Sequence, residues 1–153
     1  MSTRNFALIG GIVMLVMGLL ALVPNLNGSA ESLPVLYVND SYGLFLNVFP
    51  MNIFNKIALI VFGVAGMGCY FSSRYSYRLS SIFAKTVFWV MGTLAILGLF
   101  PETNTLSGYW PLFGAEVFAH GSFAVIGLYF GYLSMRETYH HNRRHNHNRL
   151  HKI

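Results

Sequence analysis

The chain has 153 residues, of which 54% are hydrophobic and only 10% are charged. A soluble domain carries roughly 25% charged residues, so this composition excludes an ordinary soluble fold and indicates a membrane protein. The formal net charge of +5 does not by itself point to nucleic acid, because half of the Lys and Arg residues lie beyond Ser134. Basic residues clustered beside an apolar chain report topology or attraction to anionic lipid.

A helix that crosses a bilayer needs about 20 apolar residues, or about 17 at the short end. Four segments meet this approximately, at residues 6–23, 53–71, 82–100 and 117–134. Pro24 and Pro101 follow the first and third, where proline stops a helix. The first segment resembles a signal peptide in having Arg4 before it and Gly28-Ser29-Ala30 after it. It is, however, longer than the roughly 7–15 residues of a signal core, and it is expected to be retained. The expected fold is therefore an all-α integral membrane four-helix bundle over residues 1–134, followed by a basic His-rich tail at 135–153.

The first connection, 24–52, is too apolar for a simple linker, since it carries Leu33-Pro34-Val35-Leu36-Tyr37-Val38 and Gly43-Leu44-Phe45-Leu46. It is expected to lie at the interface or to re-enter the bundle. The third connection holds Tyr109-Trp110-Pro111-Leu112-Phe113, the composition of an aromatic belt. Tyr42, Phe45, Tyr109 and Trp110 are the candidates for a cap over the outer end of the bundle. Arg4, Arg74, Arg78 and the five tail cations fall on one side, whereas the first and third connections carry Glu31, Asp40 and Glu102 without Lys or Arg. The positive-inside bias then places both termini in the cytoplasm. The single cysteine, Cys69, excludes an internal disulfide.

The chain also contains one pattern written twice. Val16-Met17-Gly18-Leu19-Leu20-Ala21 returns as Val90-Met91-Gly92-Thr93-Leu94-Ala95, and Asn39 with Gly43 returns as Asn104 with Gly108. Phe49, Phe54, Lys56 and Gly63 return as Phe113, Phe118, His120 and Gly127. The bundle is thus expected to be two helical hairpins of like orientation, at about 6–71 and 82–134, a parallel repeat rather than the inverted kind. Gly18, Gly63, Gly92, Gly127 and Gly131 are the expected packing glycines, because small residues let helices approach closely in lipid. A Gly127–Gly131 dimerisation face is the alternative use of the last pair.

The candidate polar site lies where the second helix of each repeat begins. Asn52, Asn55 and Lys56 open one, and Glu116 and His120 open the other. Asn52 and Lys56 are four apart, as are Glu116 and His120, which places each pair on one helical face. Ionisable groups within a membrane usually face the bundle interior and mark function. If the hairpins pack about a twofold axis, the two pairs would face each other. The bland reading is also open: Lys56 snorkels, and Glu116 complements a helix dipole. In the tail, His141, His145, His147 and His151 are weak candidates for metal binding, against the simpler reading of a cationic tail on anionic lipid.

The run Gly43-Leu44-Phe45, then Asn52 to Asn55, then Gly63 and Gly66, resembles the small four-span bacterial membrane family called domain of unknown function 4383. So does Gly108 followed by Glu116-Val117-Phe118-Ala119-His120. The resemblance spans most of the four segments and excludes the tail. It implies the architecture and a bacterial inner membrane, with an Asn/His-rich start to span two and an acid-x-x-x-His start to span four. This chain departs from it at Phe54, Asn55, Lys56 and Ala58, where histidines would be expected. The family has no assigned activity.

No catalytic set is complete, and neither enzyme activity nor a cofactor is expected. His120 is the only histidine within a span, so bis-His haem ligation within one chain is excluded. The leading expectation is a non-enzymatic accessory subunit or homo-oligomeric scaffold, partnered by the bilayer and a larger complex or further copies. The alternative is a binder of a small molecule or lipid, or a minor transporter, with its site under the outer loops. A redox or metal-binding protein ranks third, and nucleic-acid binding has no support beyond charge.

Overall fold

The computed structural model describes residues 1–134. The tail expectations, including His141, His145, His147 and His151 and the contact with anionic lipid, lie outside the described residues. Helix α1 spans Thr3–Ala21, α2 Ile53–Phe71, α3 Ser76–Gly98 and α4 Ala115–Leu128, the last continuing into a π-helical turn, Tyr129–Leu133. Between α1 and α2 the chain makes a short 3-10 turn at Pro24–Leu26 and three strands, β1 (Asn27–Gly28), β2 (Gly43–Phe45) and β3 (Phe49–Met51).

The helices start where side chains can satisfy their first amides. Ser2 accepts from Asn5 N at the start of α1. Asn52 and Asn55 form a reciprocal capping box on α2, which satisfies two otherwise orphaned donors. Helix α3 begins six residues earlier than the expected span at 82. Its added turns bury Ser76, Ser80 and Ser81 and leave Tyr77 and Arg78 exposed. Hydropathy reads Arg78 as a boundary, whereas the small serines let the helix continue against its neighbours.

Helices α1, α2 and α3, of 19, 19 and 23 residues, are long and apolar enough to cross a membrane. At 1.5 Å per residue they run roughly 28 to 35 Å, against a hydrocarbon core of about 30 Å. The expected fourth span is different. Its α-helical part has 14 residues, or about 21 Å, before the turn widens. Thr3 Oγ1 donates to the Phe130 carbonyl within that widened turn at 3.1 Å, and the Phe6 and Phe130 rings stack at 5.3 Å.

Helix α1 packs chiefly on α2, and α3 on α4, with further contacts of α3 to α1 and α2. The central core joins Phe6, Ala7 and Met14 of α1 to Phe83, Ala84, Val87 and Met91 of α3 and Ala124 of α4. A second, smaller cluster joins Ala21 of α1 to Phe45 of β2 and Met51 of β3.

The antiparallel sheet, ordered β1-β2-β3, corrects the all-α expectation. Its strands are two or three residues long, below the 4–8 residues over which alternation becomes legible. The β2–β3 turn is tight, with Leu46 and Asn47 both at positive φ. Pro50 is tolerated because β3 is an edge strand.

Candidate functional site

All five expected site residues are buried, but they serve two separate structures. Asn52 is fully enclosed. Its Oδ1 caps Phe54 N at 3.1 Å, while its Nδ2 donates to the carbonyls of Val38 at 3.1 Å and Tyr109 at 2.8 Å. One side chain thereby starts α2 and ties the 24–52 and 99–114 connections to it. Asn55 accepts from Asn52 N and donates to the Pro111 carbonyl.

Lys56 is also fully enclosed. Its ammonium donates to Ser41 O at 2.7 Å, Ser41 Oγ at 2.8 Å and Asn27 Oδ1 at 3.2 Å. Three donors meet three oxygens, which fills the capacity of the group. Asn27 in turn donates to the carbonyls of Ala21 and Val23 at the end of α1. The cation therefore braces the carbonyl end of a helix through one amide, where positive charge is favoured. Snorkelling does not describe it, because the head turns under the loop rather than toward water. Asn52 and Lys56 are engaged with the connections flanking the bundle, Asn52 with Val38 and Tyr109 and Lys56 with Asn27 and Ser41.

Glu116 and His120 occupy successive turns of α4, 4% and 9% exposed. His120 Nε2 lies 3.6 Å from Glu116 Oε2, too long for a hydrogen bond. Glu116 Oε1 and His120 Nδ1 have no partner at all, and neither does the buried Trp110 Nε1. Trp110, Glu116 and His120, with Asn55, line one cavity of about 70 Å³. The rest of the lining is apolar and comes from α1, α2, α3, α4 and β3. It includes four methionines, Met14, Met17, Met51 and Met91. Among the described residues four buried polar side-chain atoms lack a hydrogen-bond partner; three of them belong to residues that line this cavity, and Ser80 Oγ is the fourth. An unsatisfied buried polar group costs about 1–3 kcal/mol, so such a concentration calls for an explanation at the site itself. No group of three or more His, Cys, Asp or Glu among the described residues is placed to hold a metal ion.

The expected cap residues divide in the same way. Phe45, the last residue of β2, is buried, Tyr109 is 54% exposed, and Trp110 lines the cavity. Tyr42 donates to the Pro34 carbonyl, and its partial burial raises the phenol pKa above its ordinary value. Tyr37 N donates to the Gly108 carbonyl at 2.8 Å, so the two connections form one lid. A Cβ on Gly108, at φ +86°, would also strike the Tyr37 ring.

The glycines are engaged within the chain. A Cβ at Gly63 would come within 2.5 Å of Leu15 N, and one at Gly18 within 3.0 Å of Ile60 N. At Gly127 it would lie 2.8 Å from Ala84 O, and at Gly131 3.1 Å from Lys85 N. Gly127 and Gly131 therefore seat α4 on α3 and do not present a free dimerisation face. Gly92 is not tight, its nearest neighbour being Ala124 Cβ at 3.7 Å.

Sequence reasoning located Asn55, Glu116 and His120 but missed the cavity wall. Met14 and Met17 share a helical face by spacing, yet nothing in the sequence places Met51 and Met91 beside them. Trp110 looked like a belt residue, and Asn27 and Ser41, which hold Lys56, carried no signal at all.

The family model described as Domain of unknown function (DUF4383) matches residues 4–133, and the chain belongs to that family. No curated protein and no solved structure matches the chain.

Proposed function

We propose that this member of the Domain of unknown function (DUF4383) family is an integral membrane protein that binds a small lipid-soluble molecule inside its helical bundle. The observation that carries the proposal is the cavity itself, an apolar chamber lined by four methionines together with Asn55, Trp110, Glu116 and His120, the last three of which each hold a buried polar atom without a hydrogen-bond partner. Ligand pockets combine an apolar lining with a few convergent polar groups. Methionines, with flexible thioether side chains, suit a wall that repacks around a guest.

Membrane insertion is supported by the outward faces. Ile9, Ile12, Val16 and Leu19 of α1, and Ile57, Val61 and Val64 of α2, are large apolar side chains at least 40% exposed. A soluble monomer rarely leaves so continuous an apolar surface to water. In this reading α4 and its π-helical turn complete a fourth crossing, the sheet and the 99–114 connection close the outer side, and both termini lie in the cytoplasm of a bacterial cell. The duplicated hairpin is supported by the matched glycines, Gly63 pressed on α1 and Gly127 on α3, and by Met17 and Met91, which both line the cavity. The scaffold reading drew partly on glycine faces available to partners; Gly18, Gly63, Gly127 and Gly131 are packed within the bundle, whereas Gly68 and Gly121 are open. The protein is read as a binder, without a catalytic step.

Native mass spectrometry of the full chain released from mild detergent tests this. The wild-type protein is expected to carry, or to take up from a lipid extract, a small non-phospholipid molecule. The cavity-filling variant Ala119→Leu is expected to lose it while keeping its helical circular dichroism. A wild-type chain that never retains such a mass, or a variant that retains it equally, would falsify the proposal.

A further inference from the structure

We infer that Lys85, Trp89 and Tyr132 form a site for the phosphate of an anionic phospholipid in the cytoplasmic leaflet. This rests on the membrane reading of the chain and not on its cavity.

The place of the three residues comes first. Lys85 and Trp89 are four apart on α3 and share a helical face. Lys85 follows the start of α3 at Ser76 by nine residues, and it stands only about one turn inside the apolar stretch that begins at 82. Side chains on a helix lean toward its N-terminus, so the ammonium leans toward the headgroups of that leaflet. Trp89 is 62% exposed, and Tyr132, from the π-helical turn after α4, is exposed beside it. Ile82, one turn before Lys85, and Leu133, next to Tyr132, are large exposed apolar side chains, a surface suited to acyl chains.

The donors are held ready. Trp89 Nε1 donates to the Tyr132 hydroxyl at 3.0 Å, and the Phe88 ring meets the Tyr132 ring edge to face at 6.0 Å. Because the hydroxyl oxygen accepts there, its own proton is left to donate outward. Lys85 Nζ lies 5.0 Å from the centroid of the same ring. Gly131 gives the lysine stem its seat, since a Cβ there would come within 3.0 Å of Lys85 Cγ. An ammonium and a hydroxyl proton are thus presented together on one fixed ring.

Charge decides the partner. At this end of the bundle the cations meet tyrosines rather than carboxylates, with Arg4 5.1 Å from the Tyr70 ring and Arg74 5.7 Å from that of Tyr75. Among the described residues the one ion pair is Glu116 with His120. Residues 135–153 add five Lys and Arg against a single acid, Glu137. Most of the counter-charge must therefore come from outside the chain. A cation at the edge of the hydrocarbon is costly unless it is paired. Phosphate oxygens form strong charge-assisted bonds with both donors. A choline headgroup brings its own cation to this positive surface and finds the Tyr132 face already covered by Lys85.

The test is a native mass spectrometry titration of the delipidated full chain in a non-ionic detergent, with dioleoyl phosphatidylglycerol and dioleoyl phosphatidylcholine as probes. The first glycerol lipid is expected to bind about fivefold or more tightly than the choline lipid, the scale of one interfacial cation at an anionic surface. Lys85→Met is expected to weaken the glycerol lipid by about the same factor and to leave the choline lipid unchanged. Tyr132→Phe, which removes only the hydroxyl, is expected to weaken the glycerol lipid several-fold, and it keeps the site testable if the lysine variant fails to fold. Arg78→Gln, an exposed cation of the same helix, is expected to change little. Equal wild-type affinities, or Lys85 and Tyr132 variants that bind the glycerol lipid as wild type does, would overturn the site. So would equal weakening by Arg78→Gln, which is the mark of diffuse surface charge. Displacement of the lipid by millimolar inorganic phosphate would overturn the lipid in favour of a soluble anion. These outcomes read phospholipid masses, whereas the cavity is tested by a small non-phospholipid mass, so either reading can fail without the other.

Discussion

Lys56 shows how a residue type can mislead and a hydrogen-bond inventory can correct it. A lysine in an apolar helix suggests a counter-ion or a snorkelling head; here it is a three-way brace between α2, the 24–52 connection and the end of α1. Lys56→Met keeps much of the volume and leaves Asn27 Oδ1 and Ser41 without their donor. Because those groups are only partly buried, the expected loss is about 1–3 kcal/mol, read as a lower thermal midpoint in detergent with ligand uptake retained. Asn52 gives a sharper case. Asp ordinarily caps as well as Asn. At this position the amide also donates to the Val38 and Tyr109 carbonyls, which a carboxylate cannot do. Asn52→Asp is therefore expected to destabilise at least as much as Asn52→Ala, by about 2 kcal/mol or more; an Asp variant as stable as wild type in a thermal melt would show that those two bonds contribute nothing.

At the scale of elements, the helix pairs are set by where a Cβ has no room. Gly63 meets the Leu15 backbone, and Gly66 the Ala7 carbonyl at 2.7 Å, so α1 and α2 touch almost backbone to backbone. Gly63→Ala is expected to cost about 1–3 kcal/mol through forced separation of the pair. Gly121, in α4, has nothing within 4 Å of a built Cβ. Gly121→Ala is expected to be neutral or to stabilise by up to about 1 kcal/mol through helix propensity. Thermal denaturation of the two alanine variants side by side checks the assignment, and equal midpoints would remove it. The same logic separates Gly92 from Gly18, although the two occupy matched places in the repeated segments: a Cβ on the α3 glycine would meet only Ala124 Cβ at ordinary contact distance, whereas one on the α1 glycine would clash with Ile60. Repetition in sequence marks candidate positions, while local crowding decides which of them are constrained.

At the scale of the whole molecule, the proposal of a four-crossing protein with a closed outer face makes a topological prediction. Ser73 lies in the α2–α3 connection and Ser107 in the α3–α4 connection, and both are exposed. In a Cys69→Ala background, Ser107→Cys is expected to react with a membrane-impermeant maleimide applied to spheroplasts of the expressing bacteria. Ser73→Cys is expected to react only after lysis. Reaction of both from the same side would refute the orientation inferred from Arg74, Arg78 and the acidic outer connections. The interior agrees with this frame in one further respect. Trp110, which lines the cavity, and Pro111, whose carbonyl accepts from Asn55, both belong to the 99–114 connection, and Asn52 ties that connection to the 24–52 connection through the Tyr109 and Val38 carbonyls.

The sequence by itself determined the helices, because hydropathy and capping act over neighbouring residues. Three long apolar segments, the Asn52–Asn55 start of α2 and the Glu116–His120 face of α4 could all be read without coordinates. Membership of the family was also carried by local motifs that the chain presents openly. Only the tertiary structure decided what those residues do. It turned Lys56 and Asn52 into braces, formed a sheet from strands too short to show a pattern, and brought four methionines and Trp110 from separate elements around one chamber. The reason is physical: a hydrogen bond between Lys56 and Ser41, or a void bounded by five elements, depends on distances across the fold that no local periodicity encodes. The two copies of the hairpin motif differ at Asn52/Lys56 against Glu116/His120, and it is packing that gives the first pair a structural task and leaves the second with free hydrogen-bonding capacity.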